Sequence, residues 1–286
     1  MSNLKKILAK LPFWEPIHLA FEKFLFSKGN HEKIQKFLLR LHPNKNASTL
    51  KDPIFIVGCP HSGTSLMLAI LDSHPNIHGI GYESYLFFKR SFLKIPTFNK
   101  WNRETLKAKK NRWVEKTPEH ISKINKILGY YPNGKVLLLI RDGRDVAWSI
   151  KKRIGDFSEG INWWIRWNDS GKPYWDNSNV LVIKYENLVG ETESTLKSIF
   201  SFLNESFDER VLDYNKKERS WFYKDGKPEK NEPSRDNQGA FRNWQINQPI
   251  FDGRGRWIKN LSAEEIEYFS AKAGEKMFEF GYNLEK

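Results

Sequence analysis

Ile54-Phe55-Ile56-Val57-Gly58-Cys59-Pro60-His61-Ser62-Gly63-Thr64-Ser65 is the stretch that decides the fold. Four apolar residues run into a glycine, the pattern of a strand buried on both faces. Gly58 and Gly63 have the separation of a nucleotide-binding phosphate loop, and an apolar helical run from Thr64 to Leu71 follows. Strand, glycine turn and helix in that order present backbone N–H groups to an anion at the positive end of the helix dipole. A tight turn that merely joins strand to helix would use the same two glycines, but the context favours phosphate binding. Pro60, His61, Ser62, Gly63, Thr64 and Ser65 are therefore candidate anion-binding residues.

Working outward, Val136-Leu137-Leu138-Leu139-Ile140 and Val180-Leu181-Val182-Ile183 are two more apolar runs. Helical patterns follow them over about 144–152 and 192–203. Strands alternating with helices predict βαβ units, hence an α/β, P-loop NTPase-like three-layer fold with a central parallel sheet. This domain is expected to span 49–286. Within it, the polar stretch over about 213–240 reads as a long mobile loop anchored by Trp221, Phe222 and Tyr223. Ser262-Ala263-Glu264-Glu265 is a capping box that opens a last helix reaching about Phe280. Ahead of the domain, residues 1–48 carry three amphipathic patterns: Leu4/Ile7/Leu8/Leu11, Ile17/Phe21/Phe24/Leu25 and Ile34/Phe37/Leu38/Leu41. They read as an N-terminal helical extension that packs on the domain, with peripheral membrane contact as the alternative.

A content of 39% hydrophobic and 14% aromatic residues excludes a disordered chain. No apolar run approaches the roughly 20 residues of a membrane helix, and the opening residues lead into no secretory apolar segment. Cys59 is the only cysteine, so no internal disulfide is expected and a cytoplasmic setting is. The net charge of +13 suits an anionic partner but does not choose among small anions, polymers and simple solubility.

The departures from an ATPase are informative. Thr64 stands where the triphosphate-binding lysine belongs, and Arg141 and Lys184 end the later strands where a metal-holding aspartate would. A single 5′-phosphate without a metal fits better than a nucleoside triphosphate with Mg²⁺. Arg141 lies at the carboxyl edge of the sheet, where open α/β folds bind ligands, and Ser149 follows two helical turns along. A second anion site separate from the loop implies a ligand with two phosphates.

Taken together, these residues resemble the sulfotransferase family that uses 3′-phosphoadenosine 5′-phosphosulfate, over most of the chain from Pro53 onward. The loop is similar to the family's 5′-phosphosulfate loop. Arg141-Asp142-Gly143-Arg144-Asp145 with Ser149 resembles its 3′-phosphate site. Gln248-Pro249-Ile250 and Gly255-Arg256-Trp257 are similar to the segment that closes over the nucleotide in the carbohydrate and tyrosylprotein branches, which implicates Arg256 and Trp257 in donor binding. Many members have arginine or lysine where His61 stands, so this chain departs there. The resemblance implies two catalytic residues: Glu83 as the base that takes the acceptor proton, and Lys116, in Lys116-Thr117-Pro118, as the cation that stabilises the leaving group. It implies the phosphosulfate as co-substrate, no metal, and a hydroxyl acceptor, with carbohydrate or glycolipid favoured over tyrosine and no nucleic acid expected. The rival readings are a nucleotide or small-molecule kinase and a basic binding protein on an inactive fold. His74 and His120 read as helix-end residues, Trp163, Trp164 and Trp167 as core, and Tyr185-Glu186-Asn187-Leu188 as a structural corner.

Overall fold

The computed structural model describes residues 50–89, 94–222, 231–233 and 237–284. The amphipathic patterns of 1–48 and Tyr223 lie outside them.

Among the described residues, five parallel strands form one sheet in the order β2-β3-β1-β4-β5: β1 (Ile54–Gly58), β2 (Ile77–Ile80), β3 (Arg112–Lys116), β4 (Lys135–Ile140) and β5 (Val180–Lys184). The helices α1 (Thr64–Ser73), α2 (Lys94–Lys107), α3 (Ile124–Tyr130), α4 (Gly143–Ile154), α5 (Phe157–Gly171), α6 (Tyr185–Gly190), α7 (Thr192–Phe202), α8 (Gln238–Ile246), α9 (Arg256–Asn260) and α10 (Ala263–Glu279) surround it. The twofold side-chain period of a strand sorts the apolar runs into two cores. Ile54 and Ile56 join Leu137, Leu139, Leu68 and Phe200 on one face. Phe55 and Val57 join Val136, Leu138, Ile140, Trp164 and Phe269 on the other. The result is the three-layer, P-loop-like arrangement.

Strand order places the site. From β1 the chain crosses to β2 and returns through β3, then resumes on the far side of β1 with β4 and β5. Connections therefore leave β1 and β4 in opposite directions, which opens a crevice beyond their carboxyl ends. The loop after Gly58 and the side chain of Arg141 both come from those ends.

Two strands, β2 and β3, escape the apolar-run reading. In β3, Arg112, Glu115 and Lys116 are all buried. Each has its own compensation. Arg112 donates to the carbonyls of Asp52 and Leu203 and pairs with Glu205.

In the polar stretch over 213–240, the described residues include a 3₁₀ turn, Tyr214–Lys216, and the first residues of α8. Arg219 is buried there and ties the segment to α1, donating to the Ala69 carbonyl (3.0 Å), Ser73 Oγ (2.6 Å) and Asp72 (3.1 Å). Trp221 and Phe222 pack against the core beside α1.

Candidate active site

A cavity of about 320 Å³ occupies the crevice, within the size range of ligand sites. Its walls join residues scattered over nearly 200 positions: Pro60, His61, Gly63, Thr64 and Ser65 of the loop, Glu83, then Arg141 and Ser149, and finally Arg256.

The loop geometry follows from its glycines. A Cβ on Gly58 would collide with the Leu139 carbonyl of the neighbouring strand, and one on Gly63 would come within 2.7 Å of the Tyr185 ring. Gly63 has φ of 89°, a region that suits glycine, and caps α1 without a side-chain hydrogen bond. No acidic residue occupies the first turn of α1, so its backbone N–H groups are left for an anion.

Two buried polar atoms on lining residues at this end of the cavity have no protein partner, His61 Nε2 and Arg141 Nε. Buried polar groups are nearly always satisfied, so these orphans mark where a ligand's acceptors belong. The remaining contacts are positional. Arg141 donates to the carbonyls of His61 (3.2 Å) and Gly253 (2.5 Å) and lies over the Tyr185 ring at 4.3 Å. Burial, reinforced by Arg153, Arg141 and Arg242, lowers the His61 pKa to about 4, so the ring is neutral near pH 7. Ser149 Oγ lies 2.9 Å from His61 Nδ1. With the hydroxyl donating there, the ring proton sits on Nε2, the orphan atom. His61 thus offers an anion a neutral donor in place of a cation.

At the other end, Lys116 Nζ lies 2.5 Å from Glu83 Oε1, and Arg242 Nη2 reaches the same oxygen at 2.6 Å. Burial works against the Glu83 charge, but Lys116 and Arg242 outweigh it and hold the carboxyl at about 2. Burial also brings the Lys116 ammonium down to about 8, against the opposing pull of Glu83. Both cations rest on the Phe222 ring, at 5.2 Å for Lys116 and 3.8 Å for Arg242.

A buried network fixes Glu83 relative to Lys116. Ser84 Oγ donates to Glu115 at 2.7 Å, Thr117 Oγ1 donates to the same carboxylate at 2.5 Å, and Ser84 N donates to Thr117 Oγ1 at 3.0 Å. His120 Nε2 accepts from Phe87 N at 3.2 Å, which leaves the proton on Nδ1 to meet Glu115 at the same distance. Both ring nitrogens are therefore engaged. His74, at the end of α1, contacts the Ser206 carbonyl at 2.9 Å and stacks on Phe200.

Other sequence-derived candidates fall in different places. Lys116 and Ser62 are buried behind the cavity wall, and Trp257 is buried beneath the Arg144 guanidinium at 3.9 Å. Asp145 accepts from the Gly255 and Trp257 amides at 2.9 and 3.0 Å, which clamps that segment beside Arg141. Lys184 turns away to donate to the Gly281 carbonyl. Trp164 is core, whereas its neighbour Trp163 reaches the cavity wall, as does Tyr185. Arg242 was not singled out from sequence. Its one signal is Asn237, whose side chain caps α8 ahead of the apolar-periodic Phe241 and Trp244.

The sequence matches the model of the sulfotransferase family over residues 53–113 and 97–209, more than half of the chain. It is 28% identical over 199 residues to protein-tyrosine sulfotransferase A of Caenorhabditis elegans, covering 56% of this chain and 51% of that protein. It is 26% identical over 230 residues to an uncharacterised protein of Aquifex aeolicus, covering 66% of this chain and 29% of that one. The chain thus spans about half or less of the length of these two relatives. Mouse sulfotransferase SULT7A1, solved in complex with PAP, superposes with a TM-score of 0.54 at 18% identity, over 82% of this chain and 88% of that one. Matching motifs and matching fold lead to one conclusion: the chain belongs to the sulfotransferase family.

Proposed function

We propose that the protein transfers a sulfuryl group from 3′-phosphoadenosine 5′-phosphosulfate to an acceptor hydroxyl, with a glycan or glycolipid favoured over a tyrosine. One observation carries this reading: a single cavity joins the phosphate loop and the adjoining Arg141 to the carboxylate paired with Lys116. Mouse SULT7A1 holds the corresponding bisphosphate, which supports the choice of donor. The first turn of α1, with His61 oriented by Ser149, would hold the 5′ end, and Arg141 would hold the 3′-phosphate. When bound, the donor supplies an activated sulfuryl group and a phosphate leaving group.

The chain's own residues do the rest. Glu83 accepts the proton of the acceptor hydroxyl, and Lys116 sets a fixed positive charge where negative charge develops. Arg242 keeps Glu83 ionised and oriented. A triphosphate kinase would need the loop lysine that Thr64 replaces.

Thermal denaturation with 3′-phosphoadenosine 5′-phosphate tests the donor site. At a hundred times its dissociation constant, a ligand of the folded state adds about 2.7 kcal/mol, a rise of roughly 5 °C for a chain of this size. AMP is expected to give much less. A rise with ATP and Mg²⁺ and none with the bisphosphate would overturn the proposal.

The pH profile tests the reacting pair. Glu83 is ionised throughout the working range, because its carboxyl is held at about 2. Lys116, brought down to about 8, loses its positive charge as pH rises through that value. We expect kcat/KM for the acceptor to be flat from about pH 5 to 7 and to fall with unit slope above about 8. Radiolabelled sulfate transfer between pH 5 and 9.5 measures this, and activity still climbing at pH 9.5 would contradict the role given to Lys116.

A further inference from the structure

We infer that Glu119, held by Tyr85, recognises a second hydroxyl of the acceptor besides the one that reacts, so that the acceptor is a neutral sugar with several hydroxyls. This rests on the transfer reaction proposed above and narrows its acceptor.

Glu119 follows Lys116-Thr117-Pro118 directly, in the first turn of a 3₁₀ helix over Pro118–Lys123, and its side chain lines the cavity. One carboxylate oxygen, Oε1, accepts from the Tyr85 hydroxyl at 3.2 Å. The other, Oε2, is buried and has no partner. A buried carboxyl oxygen in that condition is costly unless a ligand supplies a donor.

Tyr85 is placed with unusual care. Its φ of 50° lies in the left-handed region, which disfavours a bulky residue by roughly 1–2 kcal/mol. Its amide donates to Thr117 Oγ1 at 3.4 Å, so the network that fixes Glu83 also fixes Tyr85. Burial and then the charges of Glu119 and Glu83 push the phenol well above its ordinary pKa, so it remains a donor. Glu83 lines the same cavity as Tyr85 and Glu119.

The donor that Oε2 awaits is better a hydroxyl than an ammonium. Lys152, Arg153, Arg242 and Arg256 line the same cavity and would repel a second cation. Trp148, Trp163 and Phe241 supply flat apolar walls on which the C–H face of a sugar ring can rest. A sugar ring with one hydroxyl meeting Glu83 and another meeting Glu119 satisfies both carboxylates.

The test uses radiolabelled phosphosulfate with a panel of neutral p-nitrophenyl β-glycosides, the monodeoxy analogues of the best of them, and a tyrosine peptide. Wild type is expected to prefer the intact glycoside over one deoxy analogue by about 10- to 100-fold in kcat/KM, as a lost hydrogen bond to a charged group implies. Glu119→Ala is expected to reduce that preference to within about threefold, mainly through acceptor KM, with donor KM unchanged. Glu119→Gln keeps one acceptor oxygen and is expected to recover part of the loss. Full preference retained in Glu119→Ala overturns the inference, and so does a collapse of kcat with unchanged acceptor KM. Transfer to the peptide and to no glycoside overturns it too, while the sulfotransferase reading stands. Transfer to nothing overturns it as well, and stabilisation by the bisphosphate then judges that reading separately.

Discussion

Lys116→Ala is expected to lower kcat for sulfate transfer by about 10²–10³-fold, the usual loss when one preorganised charge is removed from a reacting centre. The donor KM is expected to change by less than about threefold, because the loop and Arg141 do not depend on this lysine. The physical reason lies in how the ammonium is held. It is almost fully buried, at 1% exposure, between Glu83 and the Phe222 ring, where a fixed charge acts with little screening by water. Removing it leaves no orphaned anion, since Arg242 still pairs with Glu83 at 2.6 Å. A melting temperature within a few degrees of wild type should therefore accompany the lost activity, which separates a catalytic effect from unfolding. The alkaline limb near pH 8 should also disappear, because the group that titrates there is gone. Full turnover in Lys116→Ala would remove the lysine from the mechanism.

The same lysine shows what the sequence could and could not reveal. The loop from Gly58 to Ser65 was legible because two glycines, an apolar strand and an apolar helix report one geometry from adjacent positions. Arg141 and Ser149 were legible for a similar reason, a strand end and the helix after it. Strand β3 was not, because charges at three of the five positions of Arg112-Trp113-Val114-Glu115-Lys116 leave no apolar run to read. It is buried throughout only because partners distant in sequence meet it: Glu205 for Arg112, Ser84 and His120 for Glu115, Glu83 for Lys116. β2 hides for a different reason, being four residues long with a glycine in it. Arg242 was illegible because nothing local to α8 indicates that its side chain returns 159 positions to Glu83. Pairings of charge across the chain are tertiary facts, and the candidate centre is made of them.

Those pairings set the sharpest demand on Glu83. A carboxylate held at about 2 by two cations is a weak base, well below the ordinary range for its type. Its basicity rises only as a cation withdraws from it. Pairing in the resting site and proton transfer in the working site are then two states of one cluster. Glu83→Gln preserves the shape and an acceptor oxygen for Lys116 and Arg242 but takes no proton. We expect kcat to fall by about 10²–10⁴-fold with donor KM nearly unchanged. A second signature follows from the sign of the coupling. The Glu83 charge raises the Lys116 pKa against burial, so its removal moves the alkaline limb below 8. Because the two residues act as a unit, Lys116→Ala combined with Glu83→Gln should cost little more than the worse single change. If Glu83→Gln instead stayed within threefold of wild type, the base would lie elsewhere. His120 would be a poor replacement, since the Phe87 amide and Glu115 occupy both of its ring nitrogens.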